Sequence, residues 1–404
     1  MENKYVKIII CLFFFILFFF IIDFPKNENL VNLSEENYDA DKEIIIMQNY
    51  INDIFKGILT DNNKFFYPTN NPKISVIIPV FNGEAYIKTA LLSIQNQDLK
   101  DIEIIMLDDC SLDNSVNLIK ELMVKEPRIV LYQNKENKGI LYTRTMGVFL
   151  AKGKYILMLD EDDIYVQKNA FSTMYNLAEK YNLDLLKFGA ISSEPKLELK
   201  NYIIKENKNP IIFQPKLKNM MFQQTPSGEI QIIGGVLFNL FIKKNIIIKC
   251  IKMIDEKYLN QKMYFHEDYM IYFLLIRNAY NFLKIEKIFY IKLRGWNQTD
   301  KSVVFRTKEK FMNKNYNRCN SYLNFIEFIL YKTENNFFDK KIAFFSLNKW
   351  LLSNYCRNFS KIQKKAINIS KQYLDNKFIR EDDKNFIKIF LAENNNSLIN
   401  RIIL

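Results

Sequence analysis

Carboxylates are the residues of this sequence best placed to do chemistry. Asp108-Asp109, Asp160-Glu161-Asp162-Asp163 and Glu267-Asp268 are short acidic clusters, and the first two directly follow apolar runs. Carboxylates of this kind can take a proton from a weak nucleophile or hold a hard divalent cation through oxygen. The single histidine, His266, excludes a zinc site built on two or three imidazoles. It also confines any histidine-based triad to that one residue. Cys11, Cys110, Cys250, Cys319 and Cys356 are odd in number and widely spaced, with no CxxC pair. That spacing argues against a zinc ribbon or a disulfide scaffold and leaves room for one or two bridges. Carboxylate chemistry is what remains.

Such clusters need rigid elements to aim them. After Pro72 the sequence turns into short apolar runs separated by helical stretches. Strands are expected at Ile74–Ile78, Ile102–Leu107, Ile129–Gln133, Tyr155–Leu159 and Leu185–Phe188. Ile87, Ala90, Leu91 and Ile94 recur on one helical face, as do Phe171, Met174, Tyr175 and Ala178. Alternating strands and helices predict an α/β fold, a mainly parallel sheet with helices on both faces. Ligands of such sheets bind beyond the carboxyl ends of the strands. The stretches just after the first four strands are Pro79-Val80-Phe81-Asn82-Gly83, Asp108 to Asp113, Asn134 to Arg144, and Asp160 to Asp163. A helix cap explains any one of them, Asp113 included. Polar clusters at four strand ends in succession point to a site.

The chain has 404 residues, 49% apolar and 25% charged, with 10 Gly and 9 Pro, which excludes disordered, collagen-like and linker-like classes. Its net charge of +12 favours anionic partners. The lysines are scattered among Asn and Ile without a long basic block, the pattern of a solvated surface. Nothing resembles a recognition helix or a base-stacking platform, so no nucleic acid is expected as a partner. The apolar run Ile8–Ile22 follows Lys4 and Lys7 and precedes Asp23. Counted from Val6 to Phe24 it reaches about 28 Å as a helix, enough for a thin bilayer. No small-residue cleavage site follows, so an uncleaved signal anchor is expected, with the N-terminus cytoplasmic and the rest of the chain on the lumenal or outer side. The expected organisation is a tail (1–7), a single-pass transmembrane helix (8–22), a stem (23–72) with a helix around Glu43–Leu59, a catalytic domain (73–304) and an α-helical C-terminal region (305–404).

At the level of motifs the chain resembles glycosyltransferase family 2 with the GT-A fold. The matching segments are SVIIPVFN (Ser75–Asn82), EIIMLDDCSLD (Glu103–Asp113), ENKGILYTRTMG (Glu136–Gly147) and KYILMLDEDD (Lys154–Asp163). HEDYMIYFLL (His266–Leu275) is similar to the family's Glu-Asp element, and FYIKLRGWNQTDKS (Phe289–Ser302) to its closing segment. The resemblance covers roughly Lys73 to Val304. It implies a nucleotide diphosphate sugar as donor, with Pro79 and the Phe81 ring on the base and Asp109 accepting a hydrogen bond from it. A carboxylate suits the imide N–H of uracil, so the expected nucleotide is UDP. Asp108 either binds there or holds the turn.

Asp160-x-Asp162 matches the DxD element. Asp162 is the expected ligand of Mn²⁺ or Mg²⁺, Asp160 either ligates or holds the ribose, and Asp163 stays open between an alternative ligand and a helix cap. Arg144 reaches the acidic cluster or the diphosphate, and Arg294 shares the ambiguity between a structural ion pair and gripping the diphosphate as a loop closes. Asp268 matches the general base, Glu267 being the runner-up. The implied activity is inverting transfer of a sugar to a hydroxyl of a glycan, glycoprotein or glycolipid, at the Golgi if the host is eukaryotic. The alternative is a catalytically inactive nucleotide-sugar-binding or scaffolding subunit of the same fold. A nucleotidyltransferase is disfavoured, because Val80-Phe81-Asn82-Gly83-Glu84 lacks its Gly-rich basic loop.

Overall fold

The computed structural model describes residues 40–58, 68–193, most of 236–293, and 308–332, with short pieces between 211 and 232 and between 361 and 368. The anchor expected at 8–22 lies outside the described residues. Among those described, no helix is long and apolar enough to cross a membrane.

The five expected strands form in place. They are β1 (Ile74–Val80), β2 (Ile102–Asp108), β3 (Ile129–Gln133), β4 (Tyr155–Met158) and β6 (Leu185–Ser193). Uninterrupted Ile, Val and Leu runs suit strands covered on both faces, and β1 and β2 are buried at every position. Helices α2 (Ile87–Gln95), α3 (Ser115–Lys125) and α4 (Ile140–Leu150) connect the parallel strands, which lie in the order β3-β2-β1-β4. Alternation along the strands feeds two cores. Ile77, Ile105 and Met158 face one side, and Val76, Ile104 and Leu157 the other. The second core also takes α5 (Ala170–Lys180) through Phe171 and Met174.

Beyond β4 the mainly parallel sheet also takes in short antiparallel strands and is mixed. The short β10 (Leu240–Lys243) runs antiparallel between β4 and β6. The long β11 (Asn281–Leu293) lies parallel to β6, and antiparallel to β5 (Ile164–Tyr165) and β7 (Ile212–Phe213). A separate pair joins β8 (Phe222–Gln224) and β9 (Ile230–Ile232). After β10 come α6 (Lys244–Ile251), α7 (Glu256–Leu259) and α8 (Glu267–Asn278).

The segment expected to be a stem is in part a wall of this domain. Its helix, α1 (Ala40–Phe55), places Met47, Tyr50, Ile51 and Ile54 at i, i+3, i+4 and i+7, a single apolar stripe. The stripe is buried against Ile164, Val166, Ile288, Ile291 and Leu293. Tyr50 Oη donates to the Ser93 carbonyl at 2.9 Å and accepts from Gln97 Nε2 at 3.0 Å. At the other end of the chain, α9 (Lys308–Lys332) buries Tyr322, Phe325 and Phe328. Phe325 meets Tyr269 of α8 edge-on at 5.6 Å, and Phe328 meets Tyr258 of α7 at 5.4 Å. The described part of the C-terminal region is thus packed on the helix that opens with Glu267 and Asp268.

Candidate functional site

The β1–β2 register pairs Val80 with Asp108, so both strands stop at the same level and their loops lie side by side. Pro79 is buried next to the end of β1 and Phe81 is half-buried just beyond it. Asp108 is buried and accepts the Ser111 N–H on both oxygens, at 3.3 and 3.2 Å. These bonds hold the turn. Asp109, also buried, anchors the neighbouring loop. Its Oδ1 accepts from Asn134 Nδ2 and the Lys138 N–H, and its Oδ2 from the Gly139 N–H, each at 2.8 Å. Gly139 has φ +87°, a conformation that a β-carbon would strain, and the loop it ends leads into α4.

From α4 comes Arg144, which is buried. Its guanidinium donates to Asp160 Oδ1 and to Glu267 Oε1, at 2.6 Å each. One planar fork therefore joins the strand-end loop after β4 to the start of α8. Arg144 Nε is buried with no hydrogen-bond partner among the described residues. Burial alone would raise the Asp160 carboxyl, but Arg144 and Lys292 outweigh it and hold the group below the usual carboxylate range.

The rest of the acidic loop is divided in role. Asp163 is not a helix cap, and each of its oxygens accepts a hydrogen bond. It is buried, its Oδ2 accepts from Tyr290 Oη at 2.6 Å and its Oδ1 from the Leu293 N–H at 2.9 Å. The carboxylate thus latches the loop to the end of β11. Burial, then the charges of Asp162 and Asp160, push the Glu161 carboxyl well above its usual range. Burial, then Asp160 and Asp162, do the same to Asp163. The carboxyls outnumber the cations here, and mutual repulsion is the consequence. A divalent cation relieves such crowding, and oxygen donors suit Mn²⁺ or Mg²⁺. No group of three or more candidate ligands at metal-binding spacing occurs among the described residues. Two carboxylates such as Asp162 and Asp160, completed by phosphate oxygens, are a donor set of the kind that such a cation accepts.

Asp268 is half-buried on the first turn of α8. Burial raises its carboxyl well above the usual range, and neighbouring Glu267 adds to the effect, Arg144 offsetting part of it. Glu267 is buried and committed to Arg144. The helix behind them is apolar nearly all round, with Met270 to Ile276 buried, as its place among α4, α6 and α9 requires.

Sequence reasoning missed Lys292. Burial would lower its ammonium, but Asp160, Asp163 and Asp162 prevail and raise it. The Lys292 Nζ also lies 5.7 Å from the Phe238 ring centroid, and that ring stacks on Tyr290 at 4.7 Å. The signal was the period-2 spacing of Tyr290 and Lys292, which puts both on one face of a strand. Arg294 and His266 lie outside the described residues.

Comparison with known proteins decides what this arrangement belongs to. Residues 75–239 match the family described as Glycosyl transferase family 2. Over that stretch the chain is similar to family 2 glycosyltransferases. An uncharacterized glycosyltransferase of Haemophilus influenzae is 40% identical over 94 residues, covering 23% of this chain and 38% of that protein. Another, from Methanocaldococcus jannaschii, is 28% identical over 289 residues, 70% of this chain and 89% of its own. The chain spans 31–38% of the length of three of the curated relatives it matches. Among solved structures, S. aureus TarS 1–349 in complex with UDP-GlcNAc superposes with a TM-score of 0.52 at 18% identity, covering 75% of this chain and 80% of that one. The likeness shows a mixed α/β GT-A fold.

Proposed function

We propose that this protein is an inverting, metal-dependent glycosyltransferase that moves a sugar from a UDP-sugar to a hydroxyl of a glycan, glycoprotein or glycolipid. The apolar run at 8–22 adds a membrane anchor to this reading, with the N-terminus cytoplasmic. One observation carries the catalytic part. The Arg144 fork brings the DxD loop and the Glu267-Asp268 turn to one place, at 2.6 Å from each.

Uracil recognition is supported by the acceptor count on Asp109. A carboxylate offers about four lone-pair directions. Asn134, Lys138 and Gly139 use three, leaving Oδ2 one more for an imide N–H. A bound divalent cation supplies charge neutralisation for the departing diphosphate. Asp162 and Asp160 would hold it, and Lys292 adds a second positive charge beside them.

The acceptor oxygen attacks the anomeric carbon from the side opposite the diphosphate, and the bond between that carbon and the phosphate oxygen breaks as the new one forms. The acceptor proton passes to Asp268, and the electron pair leaves with UDP. A carboxylate raised by burial is the stronger proton acceptor, which suits Asp268 to this step. Glu267, paired with Arg144, orients the turn instead.

The test is turnover of UDP-sugars with Mn²⁺, with Mg²⁺ and with chelator, on the wild type, Asp162→Asn and Asp268→Asn. Asp268→Asn is expected to keep UDP affinity and lose about 10²–10⁴-fold in turnover. Asp162→Asn is expected to lose the metal response. Wild-type UDP binding without turnover on any donor would replace this reading with that of a binding or scaffolding subunit.

A further inference from the structure

The loops that follow β1 and β2 are sewn together by side chains, and Asn82 stands at the centre of the seam. Its N–H donates to Ser111 Oγ at 2.9 Å, and its Oδ1 accepts the Leu112 N–H at 2.8 Å. One residue on, the Gly83 N–H donates to Ser115 Oγ at 2.8 Å. The Glu84 N–H donates to Asp113 Oδ2 at 3.1 Å, and Glu84 Oε2 accepts the Asn114 N–H at 3.2 Å. These bonds cross between loops, and α3 itself has no side-chain cap bond at its N-cap, Asn114.

The backbone is committed to the same shape. Asn82 has φ +53° and Cys110, in the facing loop, has φ +64°, left-handed conformations that few side chains adopt. Asn tolerates that region better than most residues. Space is equally restricted, since a β-carbon on Gly83 would stand 2.9 Å from Glu161 Cγ.

Phe81 precedes Asn82, and Asp109 precedes Cys110. The seam therefore sets the distance between the ring and the carboxylate assigned above to the base. We propose that Asn82 is a positioning residue for the nucleotide, holding Phe81 and Asp109 in the arrangement that binds UDP, and acting on donor affinity rather than on turnover. This rests on the UDP-sugar reading of the site. A merely structural seam would change melting temperature and leave the ratio of KM to kcat alone.

The experiment compares wild type, Asn82→Gly, Asn82→Ala and Asn82→Asp in the full chain by calorimetry with UDP, donor KM and kcat, and thermal melting. Asn82→Gly keeps the left-handed backbone and removes the side-chain carboxamide with its Oδ1 acceptor. It is expected to raise the UDP Kd and donor KM about ten-fold, the scale of one lost hydrogen bond, with kcat within about three-fold of wild type. Asn82→Ala adds backbone strain and is expected to melt lower and bind no better. Asn82→Asp keeps an acceptor and the tolerance of positive φ, and is expected to recover most of the affinity. Wild-type UDP affinity in Asn82→Gly, or losses that fall on kcat, would overturn the proposal while leaving the reaction intact. A wild type that fails to bind UDP would overturn the UDP-sugar reading, and this inference with it.

Discussion

Arg144 is the residue on which the two halves of the site depend. It is fixed by two carboxylates from distant parts of the chain, with a side chain 8% exposed. Removing one partner of a buried pair leaves the others desolvated without compensation, at a cost of about 3–5 kcal/mol. Arg144→Met is therefore expected to lower stability on that scale. Arg144→Lys should recover only part, because an ammonium is a point charge and cannot fork to Asp160 and Glu267 together. Urea unfolding of the three proteins checks both statements, and a Met variant with the wild-type midpoint would contradict them. The fork also shows what a single sequence withholds. Asp160 and Glu267 could each be marked as acids in a motif, but their common partner joins positions 123 residues apart on one side. Asp163 is the converse case. Its place in an acidic run suggested a ligand or cap, whereas its bonds to Tyr290 and Leu293 depend on a strand that begins over a hundred residues later.

Among the elements, β1 to β4 and β6 were legible because buried strands are written as short apolar runs with polar ends. The strand β11 was not, since Lys284, Glu286, Lys287 and Lys292 break its apolar pattern, and its pairing with β6 is itself shifted by irregularities. With four residues, β10 is too short for periodicity to register. The helix α8 was visible, but not what supports it. Phe328 of α9 lies edge-on to Phe273 at 6.4 Å as well as to Tyr258, and is fully buried. Phe328→Ala should therefore cost about 3–5 kcal/mol, the range for an aromatic removed from a packed core. Because α8 carries Asp268, the loss is expected to reach turnover more than UDP binding, whose groups sit on the β1 and β2 loops. Melting curves, kcat and UDP calorimetry on this variant separate the two. Equal losses in UDP affinity and turnover would mean that α8 and the nucleotide loops move as one body.

On the scale of the whole molecule, the boundary of the folded unit differs from the one the motifs suggest. The α/β periodicity begins at Ile74, which makes a fragment of residues 73–404 look self-sufficient. Packing says otherwise. The α1 stripe covers Ile164 and Val166, just after the acidic loop, and Ile288, Ile291 and Leu293, which flank Tyr290 and Lys292. Removing residues 1–72 would expose that patch on the strands that carry the latch to Asp163. Each fully buried apolar side chain contributes about 1.5–3 kcal/mol, against a total domain stability of about 5–15 kcal/mol. Losing Met47, Tyr50, Ile51 and Ile54 together is a large fraction of that total, and it also leaves Gln97 without its Tyr50 partner. A fragment of residues 40–404 should be soluble, whereas residues 73–404 should melt well below it and aggregate. Parallel expression, light scattering and thermal melting of the two fragments decide the matter. Equal melting temperatures would show that α1 adds no stability, and would return the start of the domain to Ile74.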